Sequence, residues 1–322
     1  MTTSPIALAI HGGCGTLPKA EMTETEWTEA KADLAASLRA GWAVLSKGGS
    51  AVDAVEAAVL VMENSPHFNA GHGAAFNADG EHELDASIMD GETLAAGALC
   101  GVKRIRNPIG AAKVLMRRGD PLFLAGTAAD SFAESEGLDM VENEYFSTER
   151  RRKNLSSMKI RELVGTMSEA SEAEKHGTVG AVALDAQGHL AAATSTGGYT
   201  NKPAGRVGDS PIIGAGTYAR DGRCAVSGTG KGEYFIRYCV GHEIASLMAY
   251  AGLSLEEATA RAIAELTKHR IGAGLVAIGA DGSIVAPYNS AGMYRGWVTP
   301  DGFIHVATHG DVEVAGQLEA AA

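Results

Sequence analysis

The chain is short of several things, and each shortage removes a class of function. It has four cysteines, Cys14, Cys100, Cys224 and Cys239, with no C-x-x-C pair among them. Neither a thiolate zinc site nor a disulfide framework is expected, and a reducing, cytoplasmic setting is the default reading. No apolar run approaches the ~18 residues that a membrane helix needs. The first eleven residues lack a basic leader and carry an apolar stretch of only about five, too short for a signal peptide. Basic residues are outnumbered, 27 Lys and Arg against 39 Asp and Glu, for a net charge of −12. The clustered cations that give affinity for nucleic acid or anionic membranes are therefore missing, and small-molecule or peptide substrates fit better. What the chain has in excess is glycine, 41 of 322 residues without a repeat period, against ~7% in an average protein. That composition favours tight turns and close backbone approach, and so a site built from main chain.

With 45% apolar and 20% charged residues, the chain reads as globular with a sizeable core. Residues 6–10 read as a strand entering His11-Gly12-Gly13-Cys14-Gly15. Residues 23–45 and 50–63 carry apolar residues at helical spacing, with Ser50 as an N-cap. Residues 65–73 are too rich in turn formers for either element, and 83–89 and 96–104 read as strands. Residues 108–118 form a helix with proline in its first turn. From about residue 143 charges dominate and apolar periodicity fades, so 145–177 is expected to be a flexible surface linker. Hairpins then follow: 178–184 with 189–196 across Asp185-Ala186-Gln187-Gly188, and 212–227 around Arg220-Asp221-Gly222-Arg223. A helix is predicted over 233–250, another over 254–269, and hairpins close the chain around Ala280-Asp281-Gly282 and Pro300-Asp301-Gly302. Strands flanked by pairs of helices predict an α+β fold, a four-layer αββα sandwich in a single domain over 1–322.

The segment His176-Gly177-Thr178-Val179-Gly180 places a threonine behind a charged stretch and ahead of an apolar strand. If the Gly177–Thr178 bond is cut, Thr178 becomes an N-terminus that carries nucleophile and base together, because its own α-amino group, with a reference pKa of about 7.7–8, can take the hydroxyl proton. The first hairpin returns the chain beside Thr178 and sets either Ser195 or Thr196 opposite it, depending on register.

Gly177-Thr178, Ser195-Thr196-Gly197-Gly198 and Gly228-Thr229-Gly230, together with Gly205-Arg206-Val207-Gly208-Asp209-Ser210, resemble the plant-type L-asparaginase and isoaspartyl peptidase family of N-terminal nucleophile hydrolases. The likeness extends from His11-Gly12-Gly13 through Asn69-Ala70-Gly71 and Glu83-Leu84-Asp85-Ala86 to Thr229-Gly230-Lys231-Gly232-Glu233. It implies the fold of that class and autocleavage into an α-subunit of 1–177 and a β-subunit of 178–322. It implies Thr178 as nucleophile, Thr196 as the hydroxyl that positions it, and Thr229 with Gly230 as the oxyanion hole. Arg206 and Asp209 would hold the α-carboxylate and α-amino groups of the substrate, whose scissile amide then lies on the side chain of L-asparagine or of a β-aspartyl dipeptide. Asn69 would orient the Thr178 amino group. The resemblance further implies no cofactor for catalysis, a structural sodium ion on the backbone carbonyls of Met62, Glu63, Ser65, Phe68, Ala70 and His72, and a homodimer of processed protomers.

Two features mislead. Gly228-Thr229-Gly230-Lys231 looks like part of a phosphate loop, but that motif needs glycine where Ala225 stands and Ser or Thr where Gly232 stands. His67 and His72, five apart on a loop, lack metal-ligand spacing. Lys231 stands where some relatives carry a small hydroxyl residue, and it brings a cation beside the expected oxyanion hole. The competing readings are a glycosylasparaginase, which usually shows aspartate where this chain has Gly177, and a non-cleaving nucleotide-binding or scaffold relative.

Overall fold

The computed structural model describes residues 6–15, 23–164, 166 and 177–318. The first strand, β1 (Ala7–Cys14), is buried along its whole length. Its alternate side chains enter different cores: Leu8 and Ile10 go to one, Ala7, Ala9 and Cys14 to the other. A strand covered on both faces reads as an apolar run rather than an alternation. The strands that follow are β2 (Leu84–Asp90), β3 (Ala96–Val102), β4 (Phe123–Ala125), β5 (Val179–Leu184), β6 (Leu190–Thr196), β7 (Thr217–Arg220), β8 (Cys224–Gly230), β9 (Ala273–Gly279), β10 (Ile284–Val285), β11 (Met293–Val298), β12 (Phe303–Ala307) and β13 (Val312–Gln317). Among the described residues they form two sheets, ordered β13-β12-β11-β1-β5-β6-β2-β3-β4 and β10-β9-β8-β7.

Helices α1 (Glu24–Leu45) and α2 (Ala51–Glu63) pack on each other, and α2 lies across β5 and β6, while α3 (Pro108–Arg118) covers β2 and β3. Leu34, Leu38 and Trp42 of α1 and Val55, Val59 and Met62 of α2 meet Val179, Ala181, Ala183, Ala191 and Ala193 of the large sheet in the first core. Alanine on the strands lets the helices sit close, and the large side chains come from the helices. Ser50 caps α2 by accepting the Asp53 N–H at 3.1 Å, a contact worth ~1 kcal/mol. On the other face of the large sheet, Val182, Leu184 and Ala192 meet Val226, Leu275 and Ile278 of the small sheet. Helices α7 (Val240–Ala251) and α8 (Leu255–Thr267) back the small sheet through Val240, Ile244, Ile263 and Leu266. A capping box between Ser254 and Glu257 starts α8.

Two sequence expectations need correction. The stretch read as a linker from 145 is ordered through its first half: a 3₁₀ turn over Asn143–Phe146 leads into α5 (Glu149–Leu163), following α4 (Gly126–Ser135). Thr148 caps α5 by accepting the Arg151 N–H, and Phe146, Arg151 and Met158 anchor the segment in the protein. Its apolar signal is weak because one of those three anchors is an arginine, whose Nε donates to the Gly73 carbonyl. Residues 165 and 167–176, the rest of the expected linker, lie outside the described residues. The helix expected over 233–250 is two, α6 (Gly232–Tyr238) and α7, broken at Cys239, which stands in the left-handed region at φ 46°. Among the described residues no helix is long and apolar enough to cross a membrane, and none of the four cysteines is joined in a disulfide.

Candidate active site

The pairing of β5 with β6 sets Val179 opposite Ser195 and Gly180 opposite Thr194. That register carries Thr196 opposite Thr178 and decides between the two hydroxyls the sequence left open. Thr196 and Thr178 turn toward the space between the sheets, with their Oγ1 atoms 3.2 Å apart. Ser195 turns to the opposite face and donates to the Glu63 carboxylate at 2.6 Å.

The Gly177 carbonyl oxygen is surrounded by donors. Thr178 Oγ1 lies 2.7 Å from Gly177 O, Asn69 Nδ2 donates to it at 2.9 Å, and Thr196 Oγ1 donates at 3.1 Å. The Thr178 hydroxyl oxygen thus lies against the carbonyl, with two further donors on the same oxygen. Asn69 is itself held firmly: Nδ2 also donates to Gly198 O at 2.6 Å, and Oδ1 accepts the Ala75 N–H at 2.6 Å. Gly13 backs the same bond at φ 108°, where a Cβ would lie 3.0 Å from both Gly177 Cα and Thr178 N. A side chain at position 13 would press on the Gly177–Thr178 peptide, which accounts for glycine there.

Gly177, Thr178 and Thr196 line one end of an open cleft whose other walls include Tyr199, Arg206, Asp209, Ser210 and Gly230. Arg206 and Asp209, three apart in sequence, do not pair with each other. Arg206 Nε donates to Glu233 at 3.0 Å, and its guanidinium stacks on Tyr199, 4.7 Å from the ring centre. Asp209 is buried with Oδ2 lacking any hydrogen bond. Burial pushes its carboxyl up to about 7 despite the nearby Arg206. Burial works the same way on Glu233, but there the Arg206 and Lys231 cations prevail and hold its carboxyl below the usual range. The loop bearing Arg206 is tied down from below, since Glu83 accepts the Gly205 N–H at 3.1 Å and buried Lys202 donates to the Glu83 carbonyl at 2.9 Å. Asp85 accepts the Gly101 N–H at 2.8 Å.

Gly230 lines the cavity at φ 136°, where a Cβ would come within 2.4 Å of Gly272 O. Thr229 is fully buried beside it, and its Oγ1 accepts the Cys14 N–H at 3.2 Å. Lys231 lies over the second cation position of the Tyr199 ring, 5.1 Å from its centre and 3.9 Å from Glu233.

The loop after α2 curls back so that the His72 N–H donates to the Glu63 carbonyl at 2.7 Å. Glycine lets this turn close tightly: a Cβ on Gly71 would come 2.3 Å from Glu63 O, and one on Gly73 2.8 Å from Phe68 O. A turn lined by carbonyl oxygens is a donor set that suits a hard cation. Glu63 itself is buried, its carboxyl pushed up to about 7 by burial, with Ser195, Ile109 and Asn107 donating to it. His67 faces Glu29 and Asp33, and His72 lies against Tyr145.

A family model described as asparaginase matches residues 4–308. The chain belongs to this asparaginase family. It is 47% identical over 299 residues to an isoaspartyl peptidase of Escherichia coli K12, covering 90% of this chain and 92% of the relative. It is 39% identical over 328 residues to a probable isoaspartyl peptidase/L-asparaginase 2 of Arabidopsis thaliana, with 94% and 98% covered. A mouse isoaspartyl peptidase/L-asparaginase is 42% identical over 289 residues, with 89% and 86% covered. For an asparaginase-family chain, the residues that sequence reasoning passed over are Glu233, which fixes Arg206, and Tyr199, on which Arg206 and Lys231 both rest. Glu233 stands in the Thr229-Gly230-Lys231-Gly232-Glu233 motif as the second residue of α6, but no spacing rule links it to a residue 27 positions earlier.

Proposed function

We propose that the protein is an autoprocessing threonine hydrolase that cleaves the side-chain amide of L-asparagine and of β-aspartyl dipeptides, releasing L-aspartate. The observation that carries this reading is the Gly177 carbonyl with Thr178 Oγ1 at 2.7 Å and donors from Asn69 and Thr196. Thr178 Oγ1 attacks that carbonyl carbon, the peptide nitrogen leaves as the Thr178 amine, and the resulting ester is hydrolysed by water. Residues 1–177 then end in a carboxylate, and residues 178–322 begin with a free threonine.

In the processed enzyme the Thr178 amine takes the hydroxyl proton while Oγ1 attacks the substrate amide carbonyl. The Gly230 N–H and the Thr229 hydroxyl take the developing oxyanion. Thr229 Oγ1 accepts from the Cys14 backbone at 3.2 Å and donates to Cys14 Sγ at 3.9 Å, a long, weak bond to sulfur that the hydroxyl would exchange for one to the oxyanion. The protonated amine then protonates the leaving ammonia or amino acid, and water hydrolyses the acyl-enzyme to aspartate. Substrate is held at its head group. Arg206 offers a planar guanidinium to the α-carboxylate, and the unpartnered Asp209 Oδ2 is shaped to receive the α-ammonium, whose charge would draw the carboxyl back to its ionised form.

The reading includes a four-layer αββα packing, a dimer of processed protomers, and a sodium ion held by the carbonyls of Met62, Glu63, Ser65, Phe68, Ala70 and His72. The ion would supply fixed positive charge to the loop bearing Asn69 and no catalytic step. The test is hydrolysis of L-asparagine and β-aspartyl dipeptides by purified protein and by Thr178→Ala. Aspartate release by the wild type and none by the variant is expected; equal release by the variant would refute Thr178 as nucleophile.

A further inference from the structure

Between the sheets runs a file of buried polar side chains that the chemistry above does not use. It links Ser87 on β2, Thr217 on β7, Thr194 on β6, Ser227 on β8 and His11 on β1, all with no exposure to solvent. Ser87 Oγ donates to Ser210 O at 2.6 Å and lies 2.8 Å from Thr217 Oγ1. Thr217 Oγ1 donates to Thr194 Oγ1 at 2.6 Å, Thr194 Oγ1 lies 2.7 Å from Ser227 Oγ, and Ser227 Oγ lies 2.9 Å from His11 Nε2. The file therefore joins the cavity wall at Ser210 to the strand beside Thr178. Gly180, opposite His11, has to be glycine for it to pass, since a Cβ there would fall 2.6 Å from His11 Nε2.

Each hydroxyl has one hydrogen to give. The competing acceptors are longer: Ser210 O for Thr217 at 3.1 Å, Gly216 O for Thr194 at 3.3 Å and Ala193 O for Ser227 at 3.3 Å. With Thr217 giving its hydrogen to Thr194, Thr194 gives to Ser227, and Ser227 gives to His11 Nε2. A histidine that accepts at Nε2 while neutral carries its hydrogen on Nδ1. Neutrality is secured by burial, which drives the imidazole down to about 3. Nδ1 is buried and makes no hydrogen bond of normal geometry, and the polar group it faces is the Thr178 main chain. A buried donor without an acceptor is costly, so Nδ1–H is drawn to the Thr178 backbone.

We propose that His11 is a positioning residue for Thr178: the hydroxyl file sets its tautomer, and its Nδ1–H then steers the main chain of the nucleophile before and after cleavage. This rests on the reading of Thr178 as nucleophile. Asparagine at position 11 keeps an N–H near the Nδ1 place, whereas glutamine reaches the Nε2 place and satisfies only Ser227. The experiment measures the autocleavage half-time, and kcat and KM on a β-aspartyl dipeptide, for His11→Asn, His11→Gln and Ser227→Ala. The ¹⁵N shifts of His11 in the wild type are recorded alongside.

His11→Asn is expected to stay within about tenfold of wild type, while His11→Gln loses about tenfold to hundredfold in cleavage rate and in kcat with KM nearly unchanged, as slight misplacement of a nucleophile does. Ser227→Ala should lower kcat in the same sense. A glutamine variant as active as the asparagine variant, or a loss residing in KM, would overturn the proposal. So would a hydrogen found on Nε2, a result available even where the His11 variants fail to fold. A wild type that neither cleaves itself nor hydrolyses dipeptides would sink the reading of Thr178 instead, and the tautomer would still be measured.

Discussion

Asn69 offers the sharpest separation of chemistry from folding. Its Nδ2 donates to the scissile carbonyl at 2.9 Å and its Oδ1 holds the Ala75 N–H at 2.6 Å, so Asn69→Ala removes both. Losing one preorganised donor to a developing oxyanion costs about 10²–10³ in rate, with Thr196 remaining as the second donor. The stranded, buried Ala75 N–H costs a further ~1–3 kcal/mol of stability. Asn69→Asp keeps the acceptor for Ala75 but replaces the donor by a carboxylate oxygen facing the carbonyls of Gly177 and Gly198. At pH 8 the buried carboxylate against two carbonyl oxygens should cost both stability and cleavage rate, and both should recover at low pH, where the acid form can donate. The assay is a denaturing-gel time course of the freshly purified chain, with melting followed by circular dichroism. Cleavage of either variant within about threefold of the wild-type rate would refute the assignment of Asn69 as a donor to the scissile carbonyl.

Other perturbations follow from the same geometry. Glu63 and Asp209 both have carboxyls pushed up to about 7, so between the ordinary carboxylate range and pH 7 the folded state binds more protons than the unfolded one. Stability should fall as pH rises through that window, and Glu63→Gln should flatten the fall, as read by urea midpoints from pH 5 to 8. Arg206→Lys removes the planar fork that faces a carboxylate; a charged hydrogen bond worth about 1.5–3 kcal/mol predicts a KM rise of roughly tenfold or more with kcat less affected, and an unchanged KM would contradict the head-group role. Cys239 occupies the left-handed region at φ 46° between α6 and α7. Relief of strain of about 1–2 kcal/mol, less the entropy cost of glycine, predicts that Cys239→Gly stabilises by about 0.5–1 kcal/mol in urea unfolding.

Much of the site was legible because it is local or repeats a strand period. The turn at 185–188 allowed only Ser195 or Thr196 opposite Thr178, and the β5–β6 register settled on Thr196. Ser50, read as a cap from its place before a helical pattern, caps α2, and the helix expected over 254–269 begins where expected, behind Ser254. What sequence did not reveal depends on partners far apart in the chain. Glu233 fixes Arg206 across 27 residues, and the hydroxyl file draws its five members from five strands, where serine and threonine look like ordinary strand residues. Helix α5 escaped notice for a different reason. It is held by a buried arginine and a single buried apolar side chain, Met158, and periodicity searches count apolar residues.

The claim on which the mechanism stands is that Thr178 becomes an N-terminus. Intact-mass analysis of the purified chain under denaturing conditions, repeated over days, tests it directly. Two species dividing between Gly177 and Thr178, with Thr178→Ala remaining whole, is the predicted result. A folded wild-type chain that stays in one piece, or divides at another bond, would contradict it.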